Sequence, residues 1–296
     1  MKLRQLGEDR LLRQLLPSLP IGKGVLVPAG DDCAVVTAPA GGNLLLLKTD
    51  CVVEKIHFGR ETDPGLVGWK AMMRPLSDFA AMSGVPRFAL ITLIVPSRTT
   101  RIWVNKLYRG LTRAAGKFGV AIVGGETSST VGPAAISVSI SGSVERDRMV
   151  SRNGGKKGDD LFVTGRLGGS IRGKHLRFIP RIAESRWLTQ HFSIHAMMDL
   201  SDGLGADLPR LARASNVGFE IQKTSLPRNP GATLEQALSD GEDYELLFAI
   251  SPRQRERLER AWARKFRSLP LTRIGRLNRK STIENRKLGS GYLHFK

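Results

Sequence analysis

Cysteine is nearly absent: Cys33 and Cys51 are the only two in 296 residues, and no CxxC or Cys/His spacing accompanies them. That excludes a disulfide-stapled fold and a thiolate metal site, and both thiols are expected to be reduced and buried. Long apolar runs are missing as well. Nothing approaches the ~20 residues of a membrane span. Met1–Leu19 alternates charge with leucine and builds no apolar signal core, so a cytoplasmic protein is expected. A GxxxxGK[ST] loop and the HRD and DFG motifs of protein kinases are also absent, which removes the two most familiar phosphate cradles. Acidic residues are few, 27 against 46 Lys and Arg, for a net charge of +19.

That excess of positive charge raises nucleic acid as a partner. No nucleic-acid motif accompanies it, however. The basic stretch from Arg253 to Arg267 interleaves arginine with Leu258, Trp262 and Phe266, the pattern of an amphipathic helix with a solvated basic face. A general basic bias is therefore preferred to nucleic-acid binding. At 41% hydrophobic and 25% charged, the composition is that of a folded globular protein, not a disordered one. The length suits two domains.

Short strands are expected at Val25–Val27, Cys33–Val36 and Leu44–Thr49, followed by a helix over Pro64–Met82 with Pro64 in its first turn and Gly84 beyond its end. A strand (Ala89–Val95), a helix (Thr100–Phe118) and strands at Val120–Gly125 and Ala135–Ser143 follow. The polar, glycine-rich stretch Val144–Asp159 reads as a domain junction. After it come a strand at Asp160–Thr164, a helix at Leu204–Ala214, strands at Gly218–Gln222 and Tyr244–Ile250, and a helix from Pro252. Strands and helices alternate in both halves, so the expectation is α/β (α+β) with domains at 1–148 and 149–296.

The scarce carboxylates are not scattered. They cluster at the ends of apolar segments: Asp31-Asp32, Asp50, Asp78, Glu126, Asp199 with Asp202, and Glu242-Asp243-Tyr244-Glu245. A buried unpaired charge is costly, so carboxylates placed there call for cations or hydrogen-bond donors. Each alone reads as a turn or a cap; together they suggest oxygen ligands for a hard divalent ion such as magnesium, which phosphoryl transfer requires.

The ordered series GDDCAV, TDCVVEKIHF, LSDFAAMSG, GGET, SRNGGKKGDDLFVTGRLGGS, KHLRFIPR, MDLSDGL and GEDYELLF, closed by Gly291-Tyr292-Leu293-His294-Phe295, resembles the thiamine-monophosphate kinase family across nearly the whole chain. That family sits in a superfamily named for aminoimidazole ribonucleotide synthetase. The resemblance implies that superfamily's two-domain fold, with an N-terminal sheet domain that forms a homodimer, a C-terminal α/β domain, and transfer of the ATP γ-phosphate to thiamine phosphate with several Mg2+ ions. It places magnesium at Asp32, Thr49, Asp50, Asp78, Glu126, Asp199 and Asp202. Contacts to ATP fall on Tyr108, Gly125, Arg152 and Ser201, and contacts to thiamine phosphate on His57, Glu242 and Tyr292. No general base is required.

Three departures from the family pattern stand at its metal motifs: Lys48 where Ser or Thr is usual, Glu126 for Asp, and Pro75 for Asn. Lys48 shares a strand face with Asp50 at period two, which makes it a candidate phosphate contact. The segments after Ser170 and between Pro227 and Ala237 are shorter than usual. Two alternatives remain open at this stage: a related ATP-dependent enzyme of the superfamily acting on another small molecule, and a non-catalytic nucleotide- or nucleic-acid-binding protein.

Overall fold

The computed structural model describes residues 3–38 and 42–279. In chain order the first part runs α1 (Leu3–Leu6), α2 (Glu8–Leu15), β1 (Val25–Val27), β2 (Ala34–Thr37), β3 (Asn43–Val53), α3 (Pro64–Ala81), β4 (Val85–Pro96), α4 (Arg101–Lys117), β5 (Ala121–Thr130) and β6 (Ala135–Glu145). The second runs β7 (Asp160–Thr164), α5 (Ile182–His191), β8 (Ile194–Asp199), α6 (Leu204–Ala214), β9 (Gly218–Ile221), α7 (Leu234–Ser239), β10 (Leu246–Ile250), α8 (Arg255–Lys265) and β11 (Leu271–Asn278). Strand β7 and helix α6 match the sequence expectation residue for residue. Elements α5, β8, α7 and β11 were not anticipated. Among the described residues no helix is long and apolar enough to cross a membrane.

The first sheet has the order β1-β2-β3-β6-β4-β5, antiparallel except for the parallel β4–β5 pair. Alternation along β3 sends Leu44, Leu46 and Val52 into the core beneath α3, and the same period carries Lys48 and Asp50 to that side. The opposite face is bare. Leu47, Phe88, Leu90 and Val123 line a groove of about 530 Å³ there and are exposed by 41 to 58%.

The second sheet, β8-β10-β7-β11-β9, is antiparallel throughout and covered on both faces. Leu161, Val163, Met198 and Leu247 pack against Leu204, Leu208 and Leu211 of α6. Phe162, Met197 and Phe248 pack against Leu188 of α5 and Leu258 and Trp262 of α8. This is why β7 and β10 are buried along their whole length and read as continuous apolar runs. Leu258 and Trp262 face inward on α8 as the amphipathic pattern required.

Helix α3 spans the molecule between the two sheets. Asp63 caps its N-terminus by accepting from the N–H groups of Gly65 and Leu66, and Pro64 occupies the first turn. It crosses α4 at two glycines: a Cβ on Gly68 would lie 2.1 Å from the Leu107 carbonyl oxygen, and one on Gly110 would lie 2.0 Å from that of Gly65. Such contacts admit no side chain. Gly110→Ala should therefore lower stability by about 1–3 kcal/mol, the usual cost of overpacking. A denaturant titration that superimposes on wild type would show that the helices separate freely.

Candidate active site

Three backbone elements end at one point. The turn before β2 delivers Asp32, the last turn of α3 delivers Asp78, and the last residue of β8 is Asp199. All three are buried, and a ligand oxygen from each lies within 4.8 Å of the others. From β3, Lys48 reaches in and donates from Nζ to Asp78 Oδ1 at 2.8 Å, and Asp50 lies 3.9 Å from the Arg74 guanidinium. Arg152, in the turn after β6, pairs with Asp32 and lies 3.6 Å from Asp31.

Charge in this cradle is unbalanced. Burial and then the neighbouring Asp32 push the Asp199 carboxyl up to about 7. Burial, with repulsion from Asp50, Asp199 and Asp32, lifts Asp78 well above the carboxylate range although Lys48 pulls the other way. Burial opposes the charge on Lys48, but Asp78 and Asp50 more than offset it and hold the ammonium protonated. Asp50 is likewise penalised by burial, yet Lys48 and Arg74 keep it below its usual value. For Asp78 and Lys48, partners whose proton affinities both rise, the physical content is that one lysine cannot neutralise so many carboxylates in a dry site. The donor set is all oxygen and its negative charge outweighs its positive charge, which fits a hard divalent cation.

Beside the cradle lies a second cavity, lined by Ile56, His57, Arg74, Ile171, Ser201, Asp202, Asp240, Glu242 and Tyr244. Its floor is a buried cluster that the sequence did not announce. Lys70, with no exposed surface, donates to the His57 carbonyl at 2.7 Å and to Glu242 at 2.7 Å, and meets His175 Nδ1 at 2.8 Å. Burial favours the neutral acid, but hydrogen bonds from His175 and Lys70 overturn this and hold Glu242 down to about 2. The price falls on Lys70, which burial lowers to about 8 despite Glu242.

The Gly241–Tyr244 turn is itself strained. Glu242 and Tyr244 both adopt left-handed φ angles, 53° and 51°, which cost of order 1 kcal/mol or more each for non-glycine residues. Their N–H groups are pinned to the Ser201 and Leu200 carbonyls at 2.6 and 2.8 Å, so the two acidic motifs brace one another. Tyr244 also stacks on Phe178, ring centroids 3.9 Å apart. Glu245 is buried and accepts from Thr164, Lys174 and Arg181, fastening the KHLRFIPR segment beneath the cavity.

The sequence-predicted residues thus divide. Asp32, Asp50, Asp78 and Asp199 gather with Arg152 and Lys48. His57, Ser201, Asp202 and Glu242 line the adjoining cavity, Asp202 being held by Arg210 of α6. Thr49 points the other way: its hydroxyl meets Ser137 and Ser139 on the bare sheet face, so its side chain is outside the cradle. Gly125 and Glu126 are exposed on β5, three strands from β3 or about 14 Å across the sheet. Tyr108 packs from α4 on the N-terminal core and lines neither cavity. Tyr292 lies outside the described residues. Lys70 and Arg74 were missed, although cations four residues apart in the apolar run GWKAMMR of α3 were a readable signal of one charged helix stripe.

Two family models match this chain: AIR synthase related protein, N-terminal domain, over residues 30–144, and AIR synthase related protein, C-terminal domain, over residues 149–284. Thiamine-monophosphate kinase of Rhodopirellula baltica is 37% identical over 271 residues, 86% of this chain and 84% of that protein. The chain belongs to the thiamine-monophosphate kinase family. Another member, from Bacillus subtilis, is 31% identical and the match spans 98% of this chain and 100% of that one. A solved structure, AaThiL complexed with AMPPCP and TMP, superposes with a TM-score of 0.82 at 32% identity over 99% of each chain. Of the three departures from the family pattern, only Lys48 touches the cradle.

Because a proton on Asp199 competes with a metal ion, affinity for Mn2+ should rise with pH. Below about 7 the Asp199 proton must leave for each ion bound, and above it that group is already ionised, so Asp199 by itself contributes a gain of about tenfold between pH 6 and 8. Asp199→Asn should flatten the profile. A pH-independent affinity in the wild type would place Asp199 away from the ion.

Proposed function

We propose that this chain transfers the γ-phosphate of ATP to thiamine phosphate, giving thiamine diphosphate, with Mg2+ held at Asp32, Asp78 and Asp199. The reading is carried by the juxtaposition of that oxygen cradle with a cavity whose Glu242 stays ionised, in a chain of this family. AaThiL was solved with AMPPCP, an ATP analogue, and TMP, which in such a kinase is thiamine monophosphate. Magnesium, when bound, neutralises phosphate charge as it is transferred.

The chain's own residues divide the remaining work. Glu242 offers the negative charge that the cationic thiazolium needs, and Lys70 and His175 fix its orientation. Arg152 presents a planar fork suited to phosphate once it leaves Asp32. The attacking group is already an anionic phosphate oxygen, so direct in-line attack requires no base. Positioning and electrostatics supply the rate.

The bare face of the first sheet supports a homodimer. Its exposed Leu47, Phe88, Leu90 and Val123 form a contiguous apolar surface of the kind that marks an interaction site. Glu126 and Gly125 stand on the same sheet's edge strand, so their route to a phosphate-binding site runs across that interface into a second copy. Leu90→Glu should halve the mass measured by light scattering; an unchanged mass would remove this face from the dimer.

The function is tested with purified protein, ATP, Mg2+ and thiamine phosphate. Thiamine diphosphate should form, and Lys70→Met should raise KM for thiamine phosphate at least ~10-fold with little change for ATP, because Glu242 loses its buried donor. Folded protein that makes no product overturns the assignment. Equal effects of Lys70→Met on both substrates would detach Lys70 from the acceptor cavity.

A further inference from the structure

Lys48 brings a positive charge into the carboxylate cradle. Its Nζ is 2.8 Å from Asp78 Oδ1, and among the described residues no other Lys, Arg or His forms an ion pair with Asp78. The side chain is not a loosely tethered surface group. It rises from the interior of an eleven-residue strand, in register opposite Ile140 of β6, and passes to the side of the sheet that α3 covers. Arg152 differs in this respect, since it pairs with Asp31 and Asp32 from a turn.

The charges can be balanced. With every carboxylate ionised, as ion binding requires, five of them (Asp31, Asp32, Asp50, Asp78 and Asp199) face three cations, Lys48, Arg74 and Arg152, which leaves two negative charges in excess. One divalent ion cancels them. With serine at position 48 the excess would be three, beyond what one divalent ion can neutralise. An ammonium cannot ligate a metal, but it can serve as a fixed point charge on a carboxylate.

We propose that Lys48 is a resident cation of the cradle, so that this chain binds one divalent ion fewer before nucleotide arrives than it would with an uncharged residue there. This rests on the reading that the carboxylates hold divalent cations, and it concerns this chain's lysine, not the substrate.

The test counts Mn2+ bound to the full chain, without nucleotide or thiamine phosphate, by the loss of the free-ion paramagnetic resonance signal. Wild type should hold one tightly bound ion and Lys48→Ser should hold two. In chelator Lys48→Ser should melt several degrees below wild type and recover on addition of Mn2+. If Lys48→Ser folds only with Mn2+, the count is made on that form, and two ions still support the proposal. The double variant Lys48→Met/Asp50→Asn restores the excess of two charges, leaves Asp32, Asp78 and Asp199 in place and should return to a single ion, which keeps the proposal testable should the single variant not fold. Equal counts for wild type and Lys48→Ser, or two ions in the double variant, overturn it. No Mn2+ binding by wild type would overturn the cation reading itself, and absence of kinase activity alongside the expected counts would leave Lys48's role standing and sink only the substrate assignment.

Discussion

Three buried carboxylates with oxygens inside 4.8 Å of one another set the terms for everything around them. At an effective dielectric of about 20, each ionised pair at that separation repels by roughly 3–4 kcal/mol. Three such pairs approach the whole net stability of a domain, about 5–15 kcal/mol. The polypeptide can keep Asp32, Asp78 and Asp199 together only by supplying cations, retaining protons or binding metal. The first two both operate here. Lys48 and Arg152 are drawn in, and Asp199 and Asp78 hold their protons more tightly than ordinary carboxylates. A site arranged this way is ready for a divalent ion because the alternatives are incomplete.

Helix α3 transmits that constraint to the second cavity. Lys70, Arg74, Ser77 and Asp78 recur at intervals of four, three and one, one stripe of a 3.6-residue helix. Its upper end orients Glu242 through Lys70 and its lower end supplies Asp78, with Arg74 between them near Asp50 and the Cys51 carbonyl. The spacing between acceptor cavity and cradle is thereby fixed by helix geometry and not by loops. The glycine crossing with α4 serves the same end, since it seats the helix at one depth on the sheet.

How much of this could be read from sequence depended on what decides each element. Strand β7 and helix α6 were legible because pattern and boundaries agree: an apolar run after Gly158-Asp159, and an amphipathic stretch begun by Gly203. Strand β8, Ile194–Asp199, was not. Its Ala196-Met197-Met198 favours helix, and it is a strand because β10 and the packing of both faces make it one. Strand β11 carries Arg273 and Arg276 in its alternation, and these are tied to the buried Asp160, a long-range pairing that no local pattern displays. Helix α7 is six residues long, yet Thr233 and Gln236 form a full capping box, a local signal that was present and went unread. For the site, the acidic motifs were legible because carboxylates at the ends of apolar strands have few other uses. The period of two that put Lys48 and Asp50 on one face also put Thr49 on the other, so the family pattern and the strand alternation disagreed at Thr49 and the alternation describes its side chain.

The three departures from the family pattern looked alike in sequence, each next to a metal motif, and the fold gives them different surroundings. Pro75 is buried within α3 and removes one N–H donor, but a helix pinned by a capping aspartate at one end and by packing between two sheets tolerates the loss. Glu126 is exposed on β5, on the far side of the sheet from Asp50, so its extra methylene lengthens its reach away from this chain's cradle and towards whatever covers the bare face. Lys48 alone alters the charge of the cradle, and it does so from the interior of β3. A change that adjusts electrostatics from the centre of a sheet costs little positioning entropy when a ligand arrives, because the strand fixes the backbone and the ion pair with Asp78 already holds the far end of the side chain.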